Sequence, residues 1–142
     1  MNLPEARAET GPNGHTAAVL IVTDNSRFKR QVIEKLYEYS EGMDIDYTVK
    51  EKKTISSLDS GEYDRYIFLC RIIGGGVEKE ACGLYQDLEA SRVLIGLTCF
   101  FNMPMPEKAK QDIGEIDVVT ASSKNANIEK MASEIFTWAA GL

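Results

Sequence analysis

Histidine is nearly missing from this 142-residue chain, which has one, His15. A catalytic or metal cluster built on imidazole is thereby nearly excluded. Cysteine is also sparse. Cys70, Cys82 and Cys99 are odd in number and lack a C-x-x-C spacing, so neither a disulfide framework nor a zinc site follows. No apolar run approaches the roughly 20 residues a spanning helix needs, and the first residues are polar rather than signal-like, so the cytoplasm is the expected compartment. Basic residues are outnumbered 16 to 22, for a net charge of −6. Phosphate polymers and anionic lipid need a basic face, so neither nucleic acid nor a membrane is an expected partner. An acidic surface suits docking on a basic partner, but it also simply keeps a protein in solution.

What is present is an ordinary globular balance, 44% hydrophobic and 27% charged, in a chain of single-domain length. The organising stretch is Ala17–Leu36. Ala17 to Val22 is a solid, β-branched apolar run, too short for a buried helix, and predicts a strand covered on both faces. Thr23-Asp24-Asn25-Ser26 stops it, and Phe28, Val32, Leu36 and Tyr39 then recur with helical spacing. Asp24, Asn25 and Ser26 are each suitable N-caps. A buried strand entering a helix through a tight polar loop leaves backbone N–H groups facing out at the strand's carboxyl end, where anions bind in open α/β sheets.

Residues 1–16 are rich in Pro, Gly, Glu and Asn and read as a disordered or docking amino-terminal arm, followed by one domain over 17–142. Asp44–Lys50 alternates as a second strand, and its Lys-rich continuation suggests a sheet edge. Thr54–Gly61 holds one helical turn at most. Tyr63–Cys70 is a third strand, followed by the loop Arg71–Gly76, whose glycines permit close backbone approach. Glu78–Ala90 is expected to be a helix with Ala81, Leu84, Tyr85 and Leu88 inward, and Arg92–Phe100 a fourth strand. Two prolines keep 101–106 a loop before a short helix through Glu107–Ile113. Ile116–Thr120 is a fifth strand and Asn125–Trp138 an amphipathic helix. Strands alternating with helices imply a single doubly wound α/β domain: a five-stranded parallel sheet with right-handed crossovers and helices on both faces.

The chain resembles the flavodoxin family over roughly residues 17–140. Three stretches carry the likeness: strand one running into Lys29-Arg30-Gln31-Val32-Ile33-Glu34-Lys35-Leu36; Glu62-Tyr63-Asp64-Arg65-Tyr66-Ile67-Phe68-Leu69 before a glycine-containing loop; and Ala90-Ser91-Arg92-Val93-Leu94-Ile95-Gly96-Leu97 before a variable loop. The resemblance implies strand order 2-1-3-4-5, flavin mononucleotide (FMN) at the carboxyl ends of the strands, and electron transfer with a larger reductase or complex subunit. Carried over by position, the phosphate loop is Asp24, Asn25, Ser26, Arg27, Phe28 and Lys29. It departs from the family's Ser/Thr-x-Thr-Gly-x-Thr pattern by keeping Ser26, placing Arg27 at the glycine and Lys29 at the last threonine. Either Arg27 and Lys29 replace the lost hydroxyls by charge, or the site has decayed and Arg27 points into water. A positive φ at Arg27 would cost about 1 kcal/mol or more and favours decay if the loop is unchanged.

The loops expected to flank the flavin ring are Arg71, Ile72, Ile73 and Gly74 on one side and Thr98, Cys99, Phe100 and Phe101 on the other. Phe100 and Phe101 could stack on the ring, or cover the core edge. Cys70 and Cys99 end neighbouring strands and read as a redox pair or as small buried hydrophobes, the latter being commoner. Leu20-Ile21-Val22-Thr23-Asp24-Asn25 is also similar to the opening of receiver domains, but the aspartate needed after strand three is replaced by Leu69-Cys70-Arg71. Without a histidine, nucleophile elbow or convergent carboxylate pair, an electron-transfer or accessory role fits better than stand-alone catalysis. The expected function is a redox domain that binds FMN, if weakly; the alternative is a flavin-free interaction subunit of a complex.

Overall fold

The computed structural model describes residues 16–99 and 104–141. The expected amino-terminal arm, except Thr16, lies outside the described residues, as do Phe100 and Phe101. Strand β1 (Ala17–Thr23) leads into helix α1 (Arg27–Tyr39), and β2 (Ile45–Glu51) follows. After a 3-10 turn at Lys52–Thr54 the chain reaches β3 (Arg65–Ile73), β4 (Gly76–Val77) and α2 (Lys79–Tyr85). Then come β5 (Val93–Cys99), α3 (Glu107–Ile113), β6 (Asp117–Ser122) and α4 (Ile128–Ala140). Five strands lie parallel in the order β2-β1-β3-β5-β6, with β3 at the centre and β2 at an edge.

The apolar runs behave as strands because both faces of the sheet are covered. Leu20 and Val22 point into one core with Tyr66, Phe68 and residues of α2 and α3. Val19 and Ile21 point into the other, with Val32, Ile33 and Leu36 of α1 and Met131, Ala132 and Ile135 of α4. Every side chain from Val19 to Val22 is fully buried. Alternation along one strand therefore supplies both hydrophobic layers.

Three expectations need correction: the number of strands, their order, and the length of the second helix. The sheet has six strands rather than five, because the segment expected to be a loop, Arg71–Gly76, continues β3 through Ile73 and turns back antiparallel as β4. Numbered in chain order the path is thus 2-1-3-5-6, with β4 paired on β3 beyond it. Gly74 and Gly75 carry φ of 62° and 82°, the positive angles that a two-residue primed hairpin turn demands. A Cβ on Gly76 would lie 2.6 Å from the Asp112 carboxylate, so β4 packs closely on α3 and a side chain there would have to push the Asp112 and Lys108 side chains aside. The second helix ends at Tyr85, not Ala90; Ala81, Leu84, Tyr85 and Leu88 are all buried, but Leu88 reaches the core from a turn. Beyond the 3-10 turn, the crossover from β2 to β3 carries no helix. Ile55, Leu58 and Tyr63 cover the core there, and the Tyr66 hydroxyl donates to the Asp59 carbonyl. No helix among the described residues is long and apolar enough to cross a membrane.

Candidate functional site

The parallel strands all deliver their carboxyl ends to one rim of the sheet, and a cleft of about 500 Å³ opens there. From the β1–α1 loop it is lined by Asp24, Ser26, Phe28 and Lys29. Arg71, Ile72 and Ile73 line it from the β3–β4 hairpin, Thr98 and Cys99 from the end of β5, and Ser123 from the loop after β6. The sheet register sets Arg71 beside Thr98, so the two flanking segments reach the cleft side by side. Thr98 Oγ1 donates to the Cys70 carbonyl at 3.1 Å, which holds the hydroxyl against the strand end. The cleft thus gathers nine of the residues singled out from sequence. Asn25 and Arg27 are exposed and lie outside its lining, and Gly74 sits at the hairpin tip. Phe100 and Phe101 lie outside the described residues.

The β1–α1 loop is built around one carboxylate. Ser26 is the N-cap of α1, with an extended backbone, and its Oγ accepts the Lys29 N–H at 3.4 Å. Asp24 Oδ1 accepts the Ser26 N–H at 2.9 Å, and Asp24 Oδ2 accepts the Lys29 ammonium at 2.5 Å. Asp24 therefore stands where an anion would be expected, on an amide and a cation at the start of a 13-residue helix. Arg27 is the first helical residue, so the positive φ that would have penalised it does not arise. Its side chain points to water, while Lys29 has only 4% of its side chain exposed.

A second buried pair lies behind the first. Lys52, from the turn after β2, makes an ion pair with Glu78 at the start of α2, and their side chains are 5% and 7% exposed. Lys52 Nζ is also 3.5 Å from Asp24 Oδ2. Glu78 Oε2 accepts the Arg71 N–H at 3.2 Å and lies 3.6 Å from Arg71 Nε. Burial alone would raise the Asp24 pKa, but the Lys29 hydrogen bond and charge, the Ser26 amide and Lys52 outweigh it and lower it to about 2. Burial, then repulsion from Lys29, pushes the Lys52 ammonium below its ordinary range. Sequence reasoning missed Lys52, Glu78 and Ser123.

The thiols do not form a reactive pair. Leu97, not Cys99, lies opposite Cys70 across the ladder, and burial pushes Cys70 up to about 12. Burial also raises Cys82 and Cys99, so all three remain thiols near neutrality. Among the described residues no cluster suited to a metal ion occurs.

Comparison of the sequence with protein-family models and with curated proteins returns no match. Solved structures do match. An oxidoreductase from Corynebacterium diphtheriae aligns at TM-score 0.54 and 9% identity, over 90% of this chain and 99% of that one. A flavodoxin from Streptococcus pneumoniae aligns at TM-score 0.52 and 19% identity, over 89% and 100%. The β-N-acetylglucosaminidase from Thermotoga maritima also aligns, at TM-score 0.53 and 13% identity, over 91% of this chain and 28% of that one. At such identities the likeness establishes the fold, and the fold is flavodoxin-like. Chemistry must be argued from the site.

Proposed function

We propose that this chain is a cytoplasmic redox domain whose cleft takes FMN weakly and which passes electrons to or from a larger partner enzyme. The observation that carries this reading is the cleft itself: its volume of about 500 Å³ lies within the ordinary range for small-molecule sites, roughly 300–1,000 Å³, at the rim where open α/β sheets bind ligands. The residues present fit the group. The Lys29 ammonium and the Ser26 amide suit a phosphate, as their present hold on a carboxylate attests. Phe28, Ile72 and Ile73 offer apolar surface to a planar ring, and the Thr98 hydroxyl a polar edge. Bound flavin supplies the electron-carrying chemistry. The chain's own work would be to hold the phosphate on Lys29 and the Ser26 amide and to give the ring apolar surface at Phe28, Ile72 and Ile73.

A specific observation favours a second reading, a flavin-free interaction subunit: Asp24 already satisfies the cradle, and Ile73 at the cleft mouth is 54% exposed. One titration separates the two. Adding the purified protein to FMN should quench its fluorescence and shift its absorbance saturably, with a dissociation constant below about 100 µM. No quenching and no shift at about 100 µM flavin, together with a stable colourless complex on co-purification, would establish the interaction subunit instead.

A further inference from the structure

The inference rests on the flavin reading above and concerns how that same site is controlled. Two features meet at Asp24. The first is position: its carboxylate lies in the lining of the cleft, on the amide and ammonium that a phosphate would use. The second is a surplus of positive charge. Lys29, Lys52 and Arg71 converge on only two carboxylates, Asp24 and Glu78, in a chain whose net charge is −6. Lys29 and Lys52 are both buried, so each ammonium needs an anion beside it, whereas Arg71, the third cation, is 64% exposed and screened by water. The two carboxylates are not equally free to move. Glu78 is 7% exposed and also holds the Arg71 amide, whereas Asp24 is 35% exposed and opens on the cleft.

We propose that Asp24 is an internal, displaceable counter-ion: an entering phosphate monoester takes its place on Lys29 and the Ser26 amide, and its carboxylate moves onto Lys52. The destination is already prepared, because Lys52 Nζ lies 3.5 Å from the same oxygen that binds Lys29. The exchange leaves no buried ammonium without an anion at either end. It also predicts that the cleft binds phosphates weakly despite its phosphate-binding geometry, since an attached carboxylate competes with every free one. Protonation does not vacate the seat near neutrality, because Asp24 stays ionised down to about pH 2. A stronger or more abundant anion does. The ligand class is thus phosphate monoesters, and a neutral analogue of the same ring gains nothing from the exchange.

The test compares FMN with riboflavin, which lacks the phosphate, on the wild-type chain and on D24N and D24S. Both variants should bind FMN at least about tenfold more tightly than wild type, with riboflavin unchanged within about twofold. D24N keeps an acceptor for the Ser26 amide, and circular dichroism verifies the fold of each variant. Equal FMN affinity in wild type and variants overturns the exchange while leaving the flavin reading intact. Equal tightening of FMN and riboflavin also overturns it, since space rather than charge would then be responsible. No binding of FMN to any folded form overturns both. A measurement without a variant is the carboxyl ¹³C shift of Asp24, expected to move on adding FMN and to stay still on adding riboflavin. A shift unmoved by saturating FMN contradicts the proposal.

Discussion

Replacing Glu78 with alanine is expected to destabilise the protein by about 3 kcal/mol, the usual cost of removing one partner from a buried ion pair. The substitution strands the Lys52 ammonium, which has 5% of its side chain exposed, and removes the acceptor of the Arg71 N–H. Asp24, 3.5 Å from Lys52, compensates only in part, because its nearer partner is Lys29. Three segments meet at this carboxylate: the helix-less crossover after β2, the carboxyl-terminal half of β3, and the first turn of α2. Urea unfolding at pH 7 should show the loss as a lower midpoint with little change in slope. A change below about 0.5 kcal/mol would mean that the pair adds nothing to the fold, as many exposed pairs do.

Lys29→Met should act on binding more than on the fold. The methionine retains an apolar stem in the same buried position, and the Asp24 carboxylate, 35% exposed, can turn to Lys52 or to water. Stability should fall by about 1–2 kcal/mol, less than for Glu78→Ala because the carboxylate left behind is partly exposed. Loss of a charge-assisted hydrogen bond to the phosphate should raise the FMN dissociation constant by about ten- to a hundredfold. Riboflavin should bind as before. The comparison is made by fluorescence titration. Equal weakening of both flavins would place Lys29 beside the ring rather than the phosphate, and no weakening would remove it from the site.

The two-layered fold was readable in the chain because β1, β3 and β5 are apolar on both faces and the helices repeat at helical spacing. Val19 to Val22 are legible on both counts, since no partly exposed strand would carry four such residues in a row. The hairpin after β3 escaped because Arg71 interrupts the apolar run and the glycines suggested a loop. The pair Gly74-Gly75 between Ile73 and Gly76 was nonetheless a two-residue hairpin signal. The extent of α2 was overdrawn because Leu88 continues the helical spacing of Ala81, Leu84 and Tyr85 from a non-helical turn.

The site was legible in its location and opaque in its electrostatics. Asp24 was visible as a loop residue but not as the occupant of the loop. The Asp24-x-Ser26 spacing is that of an Asx turn, and would have indicated a carboxylate folded back on its own amides. Lys52 and Glu78 are far apart in sequence and look like solvated charges on an edge strand and a helix start. Only the sheet order β2-β1-β3, which sets the carboxyl ends of β2 and β3 on either side of β1, makes them neighbours. Buried ion pairs of this kind depend on tertiary register, and local pattern does not encode them.

An exchange of anions at Lys29 is tested most directly by a crystal structure of the protein soaked with FMN. The phosphate is expected within hydrogen-bonding distance of Lys29 Nζ and the Ser26 N–H, with the Asp24 carboxylate turned onto Lys52. A cleft without flavin at saturating concentration, or flavin bound with Asp24 still seated on Lys29, would contradict it.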